Sequence, residues 1–189
     1  MERLGAGEGV VTLEEAQLHS LPVSAAGRVA IELLLADQQL LRAHKLVPAL
    51  NCIHDYLRDE QTGPIATDVY SFHADSATVE TDTWLCTYHG APSDGLRHEE
   101  AQRRVDVPAT RAELLRLYGG NDDEGFRDFL AEKCYDLHYV AAPRARPFAF
   151  GAGNLWRIAV AWPGSPVPPC IHRAPERWPG QPPRLLLIS

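Results

Sequence analysis

Residues 66–90 read ATDVYSFHADSATVETDTWLCTYHG. β-Branched and aromatic side chains crowd this stretch, and they fit a pleated, half-buried surface better than a helix. Two strands are expected, roughly Thr67 to His73 and Thr78 to Tyr88.

Upstream, the chain reads as helical. Thr12 and Glu15 have the spacing of a capping box ahead of Leu18. From Ala25 to His44, the residues Val29, Ile31, Leu33, Leu34, Leu40 and Leu41 recur at helical spacing. Pro48 is expected to open a further helix with Ile53, Tyr56 and Leu57 on its inner face, and Gly63-Pro64 to end the helical part. Downstream, residues 91–131 form a polar insertion with helices near Ala109–Tyr118 and Glu124–Glu132. Strand character returns in YDLHYVAA (residues 135–142), LWRIAVAW (155–162), PPCIHRAP (168–175) and RLLLIS (184–189). Prolines and glycines between these segments supply tight turns. Helices followed by many short strands give an α+β class, a helical layer on a β-sandwich or jelly-roll barrel. The expected organisation is one domain over 1–189. About 1–62 form the helical N-terminal layer, and about 66–189 the core with its partly helical insertion.

The bulk composition narrows the function. The chain has 189 residues, 45% of them hydrophobic, enough for one domain with a substantial core. Its formal net charge of −7 argues against a nucleic-acid binder, which needs clustered Lys and Arg. No run approaches the roughly 20 apolar residues of a membrane span. The first residues lack the basic and apolar segments of a secretory signal, so a cytoplasmic protein is expected. Cys52, Cys86, Cys134 and Cys170 are too far apart for a C-x-x-C pair and read as reduced, mostly buried thiols. No phosphate-binding glycine loop and no nucleophile-elbow serine is present.

His73-Ala74-Asp75 is the sharpest chemical feature. Two residues apart on an extended strand, an imidazole and a carboxylate project to one face and reach a common metal ion. A second imidazole completes a 2-His-1-carboxylate triad, which leaves coordination positions open and favours Fe(II) used with O₂. The candidate is His172, on a late expected strand, and Arg184 follows twelve residues later. An arginine keeps its charge and binds carboxylates bidentately.

H-x-D, a long insertion, then His and Arg in this order resembles the Fe(II)/2-oxoglutarate-dependent oxygenases. The resemblance implies N-terminal helices packed on a double-stranded β-helix, the jelly-roll core shared with cupins. It implies iron at His73, Asp75 and His172, and 2-oxoglutarate as cosubstrate with its far carboxylate on Arg184. Many members carry Ser or Thr two residues after the arginine, where this chain has Leu186. A hydroxyl from Tyr70, Thr83, Thr87 or Tyr88 would then assist Arg184. The retained Asp75 argues against the halogenating members, which have lost that ligand. The blocks FHAD (72–75), LCTYHG (85–90), IHRAP (171–175) and RLLL (184–187) are also similar to a bacterial family of unknown function, over about residues 67–188.

Other histidines compete for the metal. His138 forms a mirrored D-x-H with Asp136 on an expected strand; His89 and His98 flank a polar loop; His54-Asp55 falls on an expected helix, where adjacent side chains diverge by about 100°. Trp178, between His172 and Arg184, is a candidate for the pocket mouth. Three alternatives stay open: a cupin-like dioxygenase without 2-oxoglutarate, a Zn²⁺-dependent hydrolase or isomerase on the same ligands, and a non-enzymatic metal-binding jelly roll. The expected partner is a small molecule such as an amino acid, with no nucleic acid and no membrane; the oligomeric state is open.

Overall fold

A computed structural model describes residues 8–58, 63–178 and 180–189. The fold is α+β, with antiparallel sheets. In chain order its elements are β1 (Val10–Thr12), α1 (Glu15–Ser20), α2 (Ala25–Ala43), β2 (Ala49–Ile53), β3 (Asp82–His89), β4 (Asp94–Leu96), β5 (Ala101–Arg103), α3 (Pro108–Tyr118), α4 (Glu124–Glu132), β6 (Tyr139–Ala141), β7 (Phe148–Ala149), β8 (Trp156–Ala159), β9 (Ile171–Arg173) and β10 (Arg184–Ile188). One sheet runs β1-β2-β10-β3-β8, a second β7-β4-β9, and β5 pairs with β6. The second sheet is extended by single bridges: His73 pairs with His172 of β9, and His138 pairs with His73.

The two sheets face each other. Side chains alternate along each strand, so Leu185 and Leu187 of β10 join a core with Leu50, Cys52 and Cys86, under Ile31, Leu34, Leu35 and Leu41 of α2. Leu186 points the other way, into a core with Ile53, Leu85, Ile158 and Phe150, flanked by Phe148 and Cys170. β10 is thus covered on both faces, by helix and by sheet. This explains why Leu185–Ile188 is an unbroken apolar run rather than an alternating one. Each α2 side chain buried this way stabilises by about 1.5–3 kcal/mol. A smaller core of Ile65, Val105, Leu114, Phe126 and Leu130 holds α3 and α4 together beside the second sheet.

Several expectations are corrected. Pro48 does not open a helix: residues 49–53 form β2, a central strand between β1 and β10. Ala-Leu-Asn-Cys-Ile buries Leu50 and Cys52 under α2 and Ile53 in the other core, a period of two that the helical reading missed. Thr12 lies in β1 and donates to the Asn51 side chain; the capping box of α1 is formed by Glu14 and Gln17. Residues 67–73 form no regular strand and enter the sheet only at His73. The polar insertion is not wholly peripheral, because its residues 94–96 are β4, the middle strand of the second sheet. Its helices match expectation closely, with Pro108 opening α3 and the Asp123 side chain accepting from the Phe126 amide to cap α4. Cys52 and Cys86 are buried, Cys170 is half-buried and Cys134 is exposed; all four are free thiols. No helix of the described residues is long and apolar enough to cross a membrane.

Leu187 is fully buried between α2 and the sheet, so Leu187→Ala is expected to lower unfolding free energy by about 2–5 kcal/mol in urea titrations. Leu117→Ala, at an exposed position of α3, is expected to change it by less than about 0.5 kcal/mol.

Candidate functional site

The second sheet brings the separated histidines together. The His73 amide donates to the His172 carbonyl at 2.9 Å, and the His172 amide donates back to the His73 carbonyl at 2.9 Å. Residues exchanging both bonds stand directly opposite, with side chains on one face. Their ring centroids lie 4.7 Å apart. Asp75 reaches the same point: its carboxylate oxygens lie 3.8 Å from His73 Nε2 and 3.9 Å from His172 Nε2. One ligand atom from each of the three residues lies within 4.8 Å of the others. Two metal–ligand bonds of about 2.0–2.2 Å reach across at most about 4.4 Å, so the 3.8 and 3.9 Å pairs suit one ion as they stand, and any pair near the 4.8 Å limit closes on it with a shift of a few tenths of an ångström. Among the described residues this is the one cluster of histidine, cysteine and carboxylate groups so arranged.

The surroundings orient each donor. His73 Nδ1 lies 2.8 Å from the Ser71 carbonyl, and His172 Nδ1 lies 3.3 Å from the Cys170 carbonyl. A carbonyl only accepts, so each Nδ1 carries the proton and each Nε2 offers its lone pair to the centre. Burial pushes the His172 pKa down; the Asp75 carboxylate opposes this and His73 adds to it. The neutral, ligating form is the one burial favours. Thr83, on β3 of the opposite sheet, donates to Asp75 Oδ2 at 3.1 Å. Phe150 stacks on His172 with centroids 6.4 Å apart.

The triad opens into a cavity of about 170 Å³ between the sheets. Val69, Leu85, Ala174, Leu186 and Ile188 line its walls, and Arg184 also reaches it. Arg184 is 2% exposed. Its guanidinium donates to Thr87 Oγ1 at 3.3 Å, to Ser93 Oγ at 3.2 Å and to Tyr56 Oη at 3.5 Å, while its Nε has no partner. No described carboxylate forms an ion pair with it. Burial pushes its pKa below the ordinary value, although a guanidinium stays charged at any working pH. A buried charge without a counter-charge costs several kcal/mol, so this cavity favours an anionic guest. A β-bulge between Leu185 and Leu186 and the backbone of Gly90, at φ 82°, shape the chain around Arg184. A Cβ on Gly90 would lie 3.1 Å from the Arg184 Cα.

Nothing in comparisons with protein-family models, curated proteins or solved structures matches this chain.

The remaining candidates fall elsewhere. Tyr88 does not assist Arg184: it lies on the α2 side of β3 and donates to Asp37 at 2.6 Å. Tyr70 does not either; its hydroxyl bonds to Asp55. Thr87 is the hydroxyl among those anticipated that reaches Arg184, and Ser93 and Tyr56 join it unanticipated. Ser93 had no signal in the sequence beyond lying just before β4. Tyr56 was hidden by the helical reading of its segment. His138 is buried beside His73, with centroids 5.8 Å apart, but stands outside the donor set. His54 lies 3.6 Å from Cys52 Sγ, His98 bonds to the Pro169 carbonyl, and His89 is exposed at the end of β3. Trp178 is 67% exposed and does not line the cavity. Arg173 pairs with Asp94 at 3.1 Å and lies over Phe72, on the opposite face of the sheet from His172.

A structural arginine and a ligand-binding arginine respond oppositely to replacement by an apolar isostere. Arg184→Met is expected to leave the thermal midpoint of the ligand-free protein unchanged or raised, measured by calorimetry. A fall of several degrees would make Arg184 a part of the scaffold.

Proposed function

We propose that this protein is a non-haem Fe(II)/2-oxoglutarate-dependent oxygenase that oxidises a small molecule such as an amino acid. The observation that carries the proposal is one cavity holding three converging metal donors and a buried arginine that no carboxylate among the described residues pairs with. The proposed scaffold is a jelly roll. It is supported by the way successive strands change sheets: β2 in the first, His73 in the second, β3 in the first, β4 and β7 in the second, β8 in the first, β9 in the second, β10 in the first. That alternation is how a double-stranded β-helix winds. The four free thiols fit a reducing, cytoplasmic setting.

In this reading His73, Asp75 and His172 hold the iron, which supplies activation of O₂ when bound. The chain's own contribution is geometric. Ser71 and Cys170 carbonyls fix both imidazole tautomers, so that neither ring must reorganise to ligate. Thr83 ties the Asp75 carboxylate to the opposite sheet and limits its swing. Arg184 receives the far carboxylate of 2-oxoglutarate, and the hydroxyls of Thr87, Ser93 and Tyr56 set the plane of its guanidinium. The aliphatic walls exclude water from the reacting groups.

A second reading has a specific observation in its favour. Leu186 stands where a Ser or Thr commonly supports the 2-oxoglutarate carboxylate in the family resembled. Arg184 could instead receive a carboxylate of the substrate itself, as in a cupin-like dioxygenase without 2-oxoglutarate.

Anaerobic addition of Fe(II) and then 2-oxoglutarate, followed by visible absorption, separates the two. A weak charge-transfer band is expected only with both present, and it is expected to vanish in Arg184→Met. Iron binding without the band favours the second reading. His73→Ala and His172→Ala are each expected to abolish tight Fe(II) binding; retention in both would dismiss the metal site. Thr83→Val is expected to weaken Fe(II) affinity by about 10–100-fold by titration, with Thr83→Ser close to wild type.

A further inference from the structure

The insertion that carries α3 and α4 holds a second cavity, of about 340 Å³, twice the volume of the one at the triad. Every residue that lines it lies between 103 and 136, and none is shared with the metal cavity. Its size falls in the range of small-molecule sites, about 300–1,000 Å³. Val105 and Leu130, both buried, give it an apolar wall. Five charged side chains complete the lining: Arg103, Asp106, Arg111, Arg127 and Asp136.

Most of that charge is already paired. Arg103 holds Asp106 through two bonds, from Nε at 2.9 Å and from Nη2 at 3.2 Å. Arg111 holds Asp122 through two more, at 2.8 and 2.6 Å, donates to the Val105 carbonyl and covers the Phe126 ring. Two groups of opposite sign are left over. The Arg127 guanidinium makes no hydrogen bond or ion pair among the described residues, and Asp122 interacts with it only at longer range. Asp136 is half-buried, and its Oδ1 is sealed from solvent with no hydrogen-bond partner. No side chain among the described residues forms an ion pair with its carboxylate; Arg103 acts on it only through space. A carboxylate drawn partly out of water without a partner costs free energy that a docked cation returns.

The leftover charges select the guest. A polyanion meets Asp106 and Asp136 on the same wall as the arginines, and a simple cation meets three guanidiniums. A zwitterion answers both ends: its ammonium on Asp136, its carboxylate on Arg127, its apolar part on Val105 and Leu130. We infer that this cavity binds an α-amino acid with an aliphatic side chain, at a site separate from the metal centre. The inference stands whatever metal or cosubstrate the triad takes.

Amide NMR titration of the metal-free full chain with L-leucine, L-valine and L-methionine tests it, each taken to about 10 mM to cover a millimolar site. Saturable shifts are expected at amides of residues 103–111 and 124–137 for at least one of the three. 4-Methylpentanoate, which lacks the ammonium group of leucine, and 3-methylbutylamine, which lacks its carboxylate, are each expected to bind at least about tenfold more weakly. Arg127→Gln, at an exposed position, and the isosteric Asp136→Asn are each expected to weaken the amino acid by about tenfold or more, with an unchanged circular-dichroism spectrum. Arg184→Met is expected to bind it as wild type does, which separates this cavity from the one at the triad. No shift with any of the three amino acids, equal binding of either one-charge probe, unchanged affinity in Arg127→Gln, or loss of binding in Arg184→Met overturns the inference.

Discussion

Two backbone hydrogen bonds, exchanged between His73 and His172, hold the candidate site together. They join residues 99 positions apart in the chain and make them direct neighbours. The pairing needs no regular strand around His73, because β9 supplies the straight template and the 67–76 segment touches it at one register position. That contact decides the direction of both imidazoles. It also decides where Asp75 falls, two residues along an extended backbone and beneath Thr83 of the facing sheet. A slip of one residue would turn His73 to the outer face, among Phe72, Leu96 and Ile171, and remove it from the cavity.

Arg184 puts the opposite demand on the fold. Hydrophobic burial holds β10 between α2 and the second sheet, and the strand's first residue carries a charge into that dry environment. The hydroxyls of Thr87, Ser93 and Tyr56 satisfy part of its hydrogen-bonding capacity, and no carboxylate among the described residues pairs with its charge. Stability in this part of the molecule comes from Leu185, Leu186 and Leu187, so the cost of Arg184 can be borne by packing. A ligand carboxylate would turn that cost into affinity. The proposed role of Arg184 as a carboxylate-binding group would account for that cost.

The first sheet serves two roles on its two faces. Its inner face presents Thr83 and Thr87 to the cavity, and its outer face carries α2. Tyr88, between these threonines and α2 in the alternation of β3, is drawn outward to Asp37. The same alternation that removes Tyr88 from the site brings Thr87 into it. The cavity and the helical layer are thereby separated by the thickness of one sheet.

Much of this was legible in the residues themselves. The α+β order, α2, α3, α4 and the strands β3, β8, β9 and β10 follow from apolar periodicity, turn residues and caps, which are local. His73, Asp75, His172 and Arg184 could be singled out because their residue types and order carry chemical meaning. What lay outside reach was long-range. Ala-Leu-Asn-Cys-Ile of β2 reads equally as helix or strand until β1 and β10 pair with it on either side. Residues 94–96 look like part of a polar loop because Asp94 and Gly95 are poor strand formers, yet Arg173 neutralises the first and the rings of Phe148 and Phe150 crowd over the second. Choosing Thr87, Ser93 and Tyr56 over Tyr70 and Tyr88 required knowing which strand faces which. Local backbone preference decided most of the elements. Only the packing of two sheets face to face decided which side chains share a cavity, because parity along a strand says that neighbours diverge and not which side is the inside.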